Sequence, residues 1–100
     1  MATQIEIPEH QLDEFCQSNG IRRLALFGSV LREDFGPDSD IDVLVEFHEG
    51  VRIGYFGMAR LARELTEMLG RSVDLRTPAE LHPAFRDEVL REARNQYVAA

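Results

Sequence analysis

The stretch LFGSVLREDFGPDSDIDVLVEF, Leu26 to Phe47, joins two apolar segments through a charged loop. Its last part, IDVLVEF, is β-branched and almost continuously apolar, which is typical of a central strand covered on both faces. Asp40 and Asp42 stand at i and i+2 where this strand is predicted to begin. Because strand side chains alternate between faces, both carboxylates are predicted to point the same way, about 6.6 Å apart along the strand.

Two neighbouring carboxylates repel each other, so ionising both costs free energy unless a cation lies between them. Carboxylate oxygens suit Mg²⁺, and a pair of divalent ions about 3.5–4 Å apart also binds phosphate oxygens. The Asp40–Asp42 pair therefore predicts a magnesium site for a ligand that carries phosphate.

A glycine–serine pair, Gly28 and Ser29, ends the preceding apolar segment. Glycine lets backbone approach a ligand closely, and the N–H groups at the start of a following helix form an anion site. The sequence VLREDF predicts that helix, with Ser29 as its cap and Arg32 one turn further on the same face. Arg32 would then pair with a carboxylate or with phosphate. This segment predicts a phosphate cradle next to the acidic pair.

A third carboxylate, Asp74, lies between Val73 and Leu75 in a predicted short strand. If that strand neighbours the strand of Asp42, Asp74 shares the metal or acts as a general base toward an attacking hydroxyl. The sequence leaves the order of the strands open, so this role depends on the sheet.

The remaining pattern alternates helices and strands, in the order α-β-α-β-α-β-α. Because the first connection between strands is too short for a parallel crossover, that pair is predicted to be antiparallel and the sheet mixed. We expect one α/β (α+β) domain over residues 1–100, with a small mixed sheet covered by helices. Gly70 is predicted to end the long helix, and Thr77 and Glu80 to form a capping box. The last helix, from about Pro83, is predicted to face inward through Phe85, Val89, Leu90 and Ala93.

Two aromatic residues, Tyr55 and Phe56, stand at the start of the predicted long helix. Tyr55 and Phe56 are interpreted as packing in the core or at the start of the helix, and stacking on a base is the alternative.

Composition limits the function classes. The 11 Lys and Arg against 18 Asp and Glu give a net charge of −7, which argues against direct, sequence-independent binding of nucleic acid. A nucleotide held through metal ions stays compatible with this charge. A single cysteine, Cys16, predicts a reducing, cytoplasmic setting. The N-terminal segment lacks the pattern of a signal peptide, and no apolar run approaches the roughly 20 residues of a membrane span.

A calcium loop is the rival interpretation of the aspartates. Asp38, Asp40, Asp42 and Glu49 match positions one, three, five and twelve of an EF-hand, but Val43 occupies the sixth position, where the sharp turn needs glycine. This interpretation is therefore rejected.

The combined pattern, FGSVLRED, then SDIDVLVEF, then LGRSVDLRTPAEL, resembles the polymerase-beta-type nucleotidyltransferase superfamily. Its particular form is similar to the minimal nucleotidyltransferases of prokaryotes, which include the MntA-type antitoxins. The resemblance implies a mixed-sheet fold, ATP with Mg²⁺, and transfer of a nucleoside monophosphate to a hydroxyl with loss of pyrophosphate. It implies that Asp40, Asp42 and Asp74 are the catalytic, metal-binding carboxylates. Gly28 and Ser29 would hold the triphosphate, and Arg32 and Ser39 are further candidate nucleotide-binding residues.

In the antitoxin branch, the implied acceptor is a tyrosine of a partner toxin, a HEPN-type ribonuclease that AMP would silence in a hetero-oligomer. Little sequence follows Leu81 to grip a small acceptor, which favours a protein acceptor over an aminoglycoside-like molecule. An antitoxin that neutralises its partner by binding alone is the other alternative.

Overall fold

Four strands form one mixed sheet in the computed structural model, which describes residues 5–33 and 35–100. They are β1 (Ile21–Phe27), β2 (Ile41–Phe47), β3 (Val73–Arg76) and β4 (Arg94–Val98). Their spatial order is β3-β2-β1-β4, with β1 antiparallel to β2 and β4, and β2 parallel to β3. The predicted fold class and the antiparallel first pair are confirmed.

Three helices, α1 (Glu9–Ser18), α2 (Tyr55–Leu69) and α3 (Pro83–Glu92), accompany the sheet. Gly70 ends α2 as predicted: its φ of 71° is left-handed, and its N–H donates to the carbonyl of Thr66 at 2.9 Å. The predicted capping contact between Thr77 and Glu80 also forms: the Glu80 carboxylate accepts a hydrogen bond from the Thr77 N–H at 2.8 Å. It closes a short 3₁₀ turn, Pro78–Glu80, ahead of α3.

The core lies between one face of the sheet and the helices α1 and α2. Strand β2 sends Ile41, Val43 and Val45 into it, each with no exposed surface, while Asp42 alternates to the other face. The apolar sides of the two helices and of β1 complete this core through Leu12, Phe15, Cys16, Leu24, Leu26, Leu61 and Leu65. Burial, with a contribution from Asp13, raises the pKa of the Cys16 thiol to about 12, so Cys16 stays protonated in the core.

The predicted helix VLREDF is wrong. After β1 the chain makes only a 3₁₀ turn, Gly28–Leu31, and Arg32 is already extended, with φ −124° and ψ 168°. Asp34, which the prediction included, lies outside the described residues. Val30 is the buried residue of this turn, and Leu31 and Phe35 are partly buried against the core.

The end of the chain differs more strongly from the prediction. Helix α3 stops at Glu92, and β4, which the sequence did not predict, pairs antiparallel with β1. The segment RNQYV has a weak strand propensity. It forms a strand because pairing with β1 satisfies the hydrogen-bonding groups of the backbone along the edge of β1. None of the α3 residues is buried, and Phe85 is 62% exposed, so the inward-facing assignment of Phe85, Val89 and Leu90 is wrong.

The packing assigned to Tyr55 and Phe56 is also wrong. Their exposures are 83% and 86%, and the two rings contact each other edge-on at 5.7 Å. Within residues 5–33 and 35–100, no helix is long and apolar enough to cross a membrane.

Replacing Leu65 by alanine should destabilise the chain by about 2–5 kcal/mol, because Leu65 is fully buried between α2 and the sheet. Urea unfolding followed by circular dichroism measures this loss. Glu67→Ala, an exposed position two residues away on the same helix, is the matched control and should change stability by less than about 0.5 kcal/mol. Equal losses in the two variants would contradict the assigned core.

Candidate active site

Gly28 brings the backbone after β1 against a carboxylate of β2. Phe27, the last residue of β1, is the register partner of Asp42, and Gly28 follows with φ 74°. A Cβ atom at Gly28 would overlap Oδ2 of Asp42, so only glycine fits this close approach. The next N–H, that of Ser29, donates a hydrogen bond to the Asp42 carboxylate.

The strand order places a second carboxylate beside Asp42. Strands β2 and β3 run parallel, and Asp42 and Asp74 are direct partners in their register. Directly paired residues of neighbouring strands share a face, so both carboxylates lie on the face opposite the core. The condition that the sequence left open, that the strand of Asp74 neighbours that of Asp42, is met.

Asp42 carries the electrostatic cost of this arrangement. Burial raises its pKa above the usual value of 3.8, and the charge of Asp74 raises it further, with a smaller contribution from Asp40. The hydrogen bond from Ser29 and the charge of Arg32 act in the opposite direction and lower this pKa. The site therefore concentrates negative charge that a bound cation would relieve.

Arg76, which the sequence analysis missed, holds the carboxylate of Asp74. Its Nε donates to Oδ1 at 3.1 Å and its Nη2 to Oδ2 at 3.4 Å. The two residues stand at i and i+2 on β3, so their side chains share a face, and this spacing was a signal available in the sequence. Both side chains are over 40% exposed, so the pair itself adds at most about 1 kcal/mol of stability.

Asp40 is exposed and lies one residue before β2, so it extends from the loop rather than from the strand itself. Ser39 is part of the loop's own structure: its Oγ accepts a hydrogen bond from the Gly36 N–H at 3.0 Å. Arg71 binds this loop from outside. Its Nη2 donates to the Ser39 carbonyl at 2.8 Å, and its guanidinium lies 4.5 Å above the ring of Phe35. Arg71 thus supports the position of Asp40, although nothing in the linear pattern singled it out.

Arg32 reaches the site differently from the prediction. It follows the 3₁₀ turn in extended backbone, with its N–H donating to the Ser29 carbonyl at 2.9 Å, so it shares no helical face with Ser29. Its charge still acts on Asp42. The structure therefore brings Gly28, Ser29 and Asp42 together with Asp74, and places Arg32 and Asp40 close enough to change the pKa of Asp42.

The donor set fits a hard divalent cation in its chemistry, because Asp40, Asp42 and Asp74 offer carboxylate oxygens whose mutual repulsion a cation removes. Across the described ranges, however, no group of three or more Asp, Glu, His or Cys side chains is arranged to hold a metal ion as it stands. A cation bound by all three carboxylates would require Asp74 to exchange Arg76 for the metal.

Comparison with protein families gives a match over residues 9–95 to the nucleotidyltransferase domain. This chain belongs to the nucleotidyltransferase domain family. With relatives named as protein adenylyltransferases, this match identifies the chain as a nucleotidyltransferase enzyme.

Two curated relatives of this nucleotidyltransferase are archaeal. A protein of Methanocaldococcus jannaschii, provisionally named as a protein adenylyltransferase, is 43% identical over 75 residues, which are 75% of this chain and 78% of the relative. The protein adenylyltransferase MntA of Thermococcus cleftensis is 37% identical over 73 residues, which are 73% of this chain and 72% of the relative.

Two solved structures share the fold. A toxin–antitoxin crystal structure with AMP-PNP matches with a TM-score of 0.73 at 20% identity, over 93% of this chain and 75% of the other. A complex of a tri-AMPylated Shewanella oneidensis HEPN toxin with an MNT antitoxin matches with a TM-score of 0.64 at 20% identity, over 91% and 70% of the respective chains. At these identities the likeness establishes the nucleotidyltransferase fold.

Gly28→Ala should destabilise the chain more than the left-handed backbone angle of Gly28 alone explains. Gly28 and Gly70 have nearly equal φ, 74° and 71°, but only at Gly28 would a Cβ meet another residue, the Asp42 carboxylate. Gly70→Ala should therefore cost about 1–2 kcal/mol from the left-handed backbone, and Gly28→Ala clearly more. Chemical denaturation of both variants gives the comparison. Equal losses would show that Gly28 does not hold its backbone against Asp42.

Asp42→Asn should raise stability at pH 7 in metal-free buffer. The folded-state pKa of Asp42 is raised, so the folded chain binds that proton more tightly and ionisation costs stability. The cost is fully present above the folded pKa and is absent below the unfolded value of 3.8. The advantage of the variant should therefore shrink as the pH falls through the raised folded pKa and be lost below the unfolded value.

Urea unfolding with EDTA, repeated between neutral and acid pH, measures this difference. Asp38→Asn changes an exposed loop carboxylate and is the matched control. An Asp42→Asn variant that is less stable than the native chain at pH 7 would contradict the assigned repulsion.

Proposed function

We propose that residues 1–100 act as one minimal nucleotidyltransferase domain, an Mg²⁺-dependent protein adenylyltransferase and antitoxin. It transfers AMP from ATP to a hydroxyl, that of a tyrosine, on a HEPN-type ribonuclease toxin with which it forms a hetero-oligomer in the cytoplasm. Support comes from the relative named protein adenylyltransferase MntA and from the fold shared with an MNT antitoxin in complex with an AMPylated HEPN toxin.

The observation that carries this proposal is the register pair of Asp42 and Asp74 beside the Gly28–Ser29 backbone. A phosphoryl transfer enzyme mainly positions the reactants and stabilises charge. In such a site, amide N–H groups would bind phosphate oxygens, and the neighbouring carboxylates would bind metal ions.

In the proposed reaction, the acceptor hydroxyl oxygen forms a bond to the α-phosphorus of ATP. The bond from that phosphorus to the bridging oxygen of the β-phosphate breaks, and pyrophosphate leaves. Asp74 is the candidate base for the hydroxyl proton, once its carboxylate is released from Arg76. Asp40 and Asp42 would hold Mg²⁺, which neutralises phosphate charge when bound. Ser29 and Arg32, which both act on Asp42, would bind phosphate oxygens, and Ser39 supports the loop that carries Asp40.

Label transfer from ATP labelled at the α-phosphate tests this function. The native chain is mixed with a HEPN-type toxin in the presence of Mg²⁺. We expect label on the partner with the native chain, and loss of label to background with Asp40→Asn or Asp42→Asn, because each variant removes a metal-binding carboxylate. Asp38→Asn makes the same change of charge two residues from Asp40 in the same loop and should keep the transfer.

Two results would oppose the proposal. Full transfer by Asp40→Asn and Asp42→Asn would exclude these carboxylates from the reaction. Toxin neutralisation by the Asp40/Asp42 double variant, at matched expression and without label, would identify an antitoxin that acts by binding alone. EDTA should abolish transfer in the native chain, and Mg²⁺ should restore it.

A further inference from the structure

A cavity of about 340 Å³ lies between α3 and the turn that follows β1. Its volume is within the range of about 300–1,000 Å³ that small-ligand pockets occupy. The lining is mainly apolar, from Phe27, Leu81, Phe85 and Val89, with Gly28 and Arg32 at one end. Because α3 buries none of its residues, its apolar side chains line this space rather than fill a core.

Gly28 connects the cavity with the candidate active site. Its backbone contacts the Asp42 carboxylate and also forms part of the cavity wall. Arg32 is likewise shared, since it lines the cavity and its charge acts on Asp42. A ligand with phosphates at Gly28 and Ser29 would therefore extend its other end into this cavity.

The apolar end of the cavity presents a flat aromatic surface. The ring of Phe85 is 62% exposed and lies 5.6 Å from the ring of His82, tilted by 49°. Nδ1 of His82 accepts a hydrogen bond from the Ala84 N–H at 3.0 Å, which fixes the imidazole at the start of α3. An exposed phenylalanine held in this way has no core to stabilise and is suited to stack on a planar ring.

Two carboxylates, Glu88 and Glu92, also line the cavity. They repel phosphate but accept hydrogen bonds from hydroxyl or amino groups. Glu92 also lines a second pocket together with Gly28 and Arg32, so this acceptor lies at the phosphate end, whereas Glu88 stands one helical turn from Phe85. This pattern matches a ligand whose hydroxyl donors lie between its phosphates and its planar ring.

We propose that this cavity is the nucleoside subsite of the enzyme: the base stacks on Phe85, and the ribose hydroxyls donate to Glu88 or Glu92. The inference rests on the proposed function, since it extends the triphosphate site at Gly28 and Ser29. The ring of an acceptor tyrosine would fill the same apolar space, but it carries no donor besides the reacting hydroxyl. The two carboxylates therefore favour a nucleoside.

Isothermal titration of two probes, AMP-PNP and inorganic tripolyphosphate, tests the subsite, each with Mg²⁺ and without any acceptor. Phe85→Ala should raise the Kd for AMP-PNP at least about tenfold, since it removes the stacking surface, and should leave the Kd for tripolyphosphate within about twofold. Phe85→Tyr keeps the ring and should bind AMP-PNP like the native chain. Phe56→Ala removes another exposed phenylalanine, from α2, and should change neither Kd.

The outcomes separate this inference from the proposed function. If Phe85→Ala binds AMP-PNP as the native chain does, while Gly28→Ala weakens both probes, the subsite is wrong and the triphosphate site stands. Unchanged AMP-PNP binding with a raised KM for the acceptor would assign the cavity to the acceptor and overturn the nucleoside. If the native chain binds neither probe, the proposed function fails together with the subsite. Because Phe85 is exposed, thermal unfolding should confirm that Phe85→Ala retains the native fold.

Discussion

The close approach of the Gly28 backbone to the Asp42 carboxylate is the constraint on which the site depends. Asp42 belongs to β2, whose alternate residues Ile41 and Val43 are fully buried, so its position is set by the core rather than by the loop before it. The parallel pairing of β2 with β3 then brings Asp74 alongside. A rigid strand thus holds one carboxylate between a backbone turn and a second carboxylate, and the rest of the site is arranged around it.

This arrangement is electrostatically costly, and the structure contains specific groups that offset the cost. The Ser29 N–H and the charge of Arg32 lower the pKa of Asp42, against burial and the charge of Asp74. Arg76 holds the Asp74 carboxylate through two hydrogen bonds. These donors offset part of the repulsion between the carboxylates, so the fold tolerates their clustering.

The apolar pattern of α3 predicted a helix correctly, but the predicted burial of its apolar side chains is wrong. Its pattern predicted side chains that face inward, yet the helix buries no residue and Phe85 is largely exposed. Phe85 and Val89 instead line a cavity that shares Gly28 with the candidate active site. The apolar side chains of a helix can line a cavity as well as fill a core, and composition does not distinguish the two.

The sequence by itself determined those parts of the local structure that short-range signals specify, and it indicated the chemistry of the candidate site. A β-branched, almost continuously apolar run placed β2 at its observed bounds, and glycine at position 70 ended α2, because these signals act over a few neighbouring residues. The residue types at Gly28, Ser29, Asp40 and Asp42 likewise indicated phosphate and metal chemistry. Only the tertiary structure decided that β3 lies beside β2, that β4 covers the edge of β1, and that Arg71 binds the loop before Asp40. These are contacts between residues far apart in the chain, and their energy depends on packing and register that no short segment encodes.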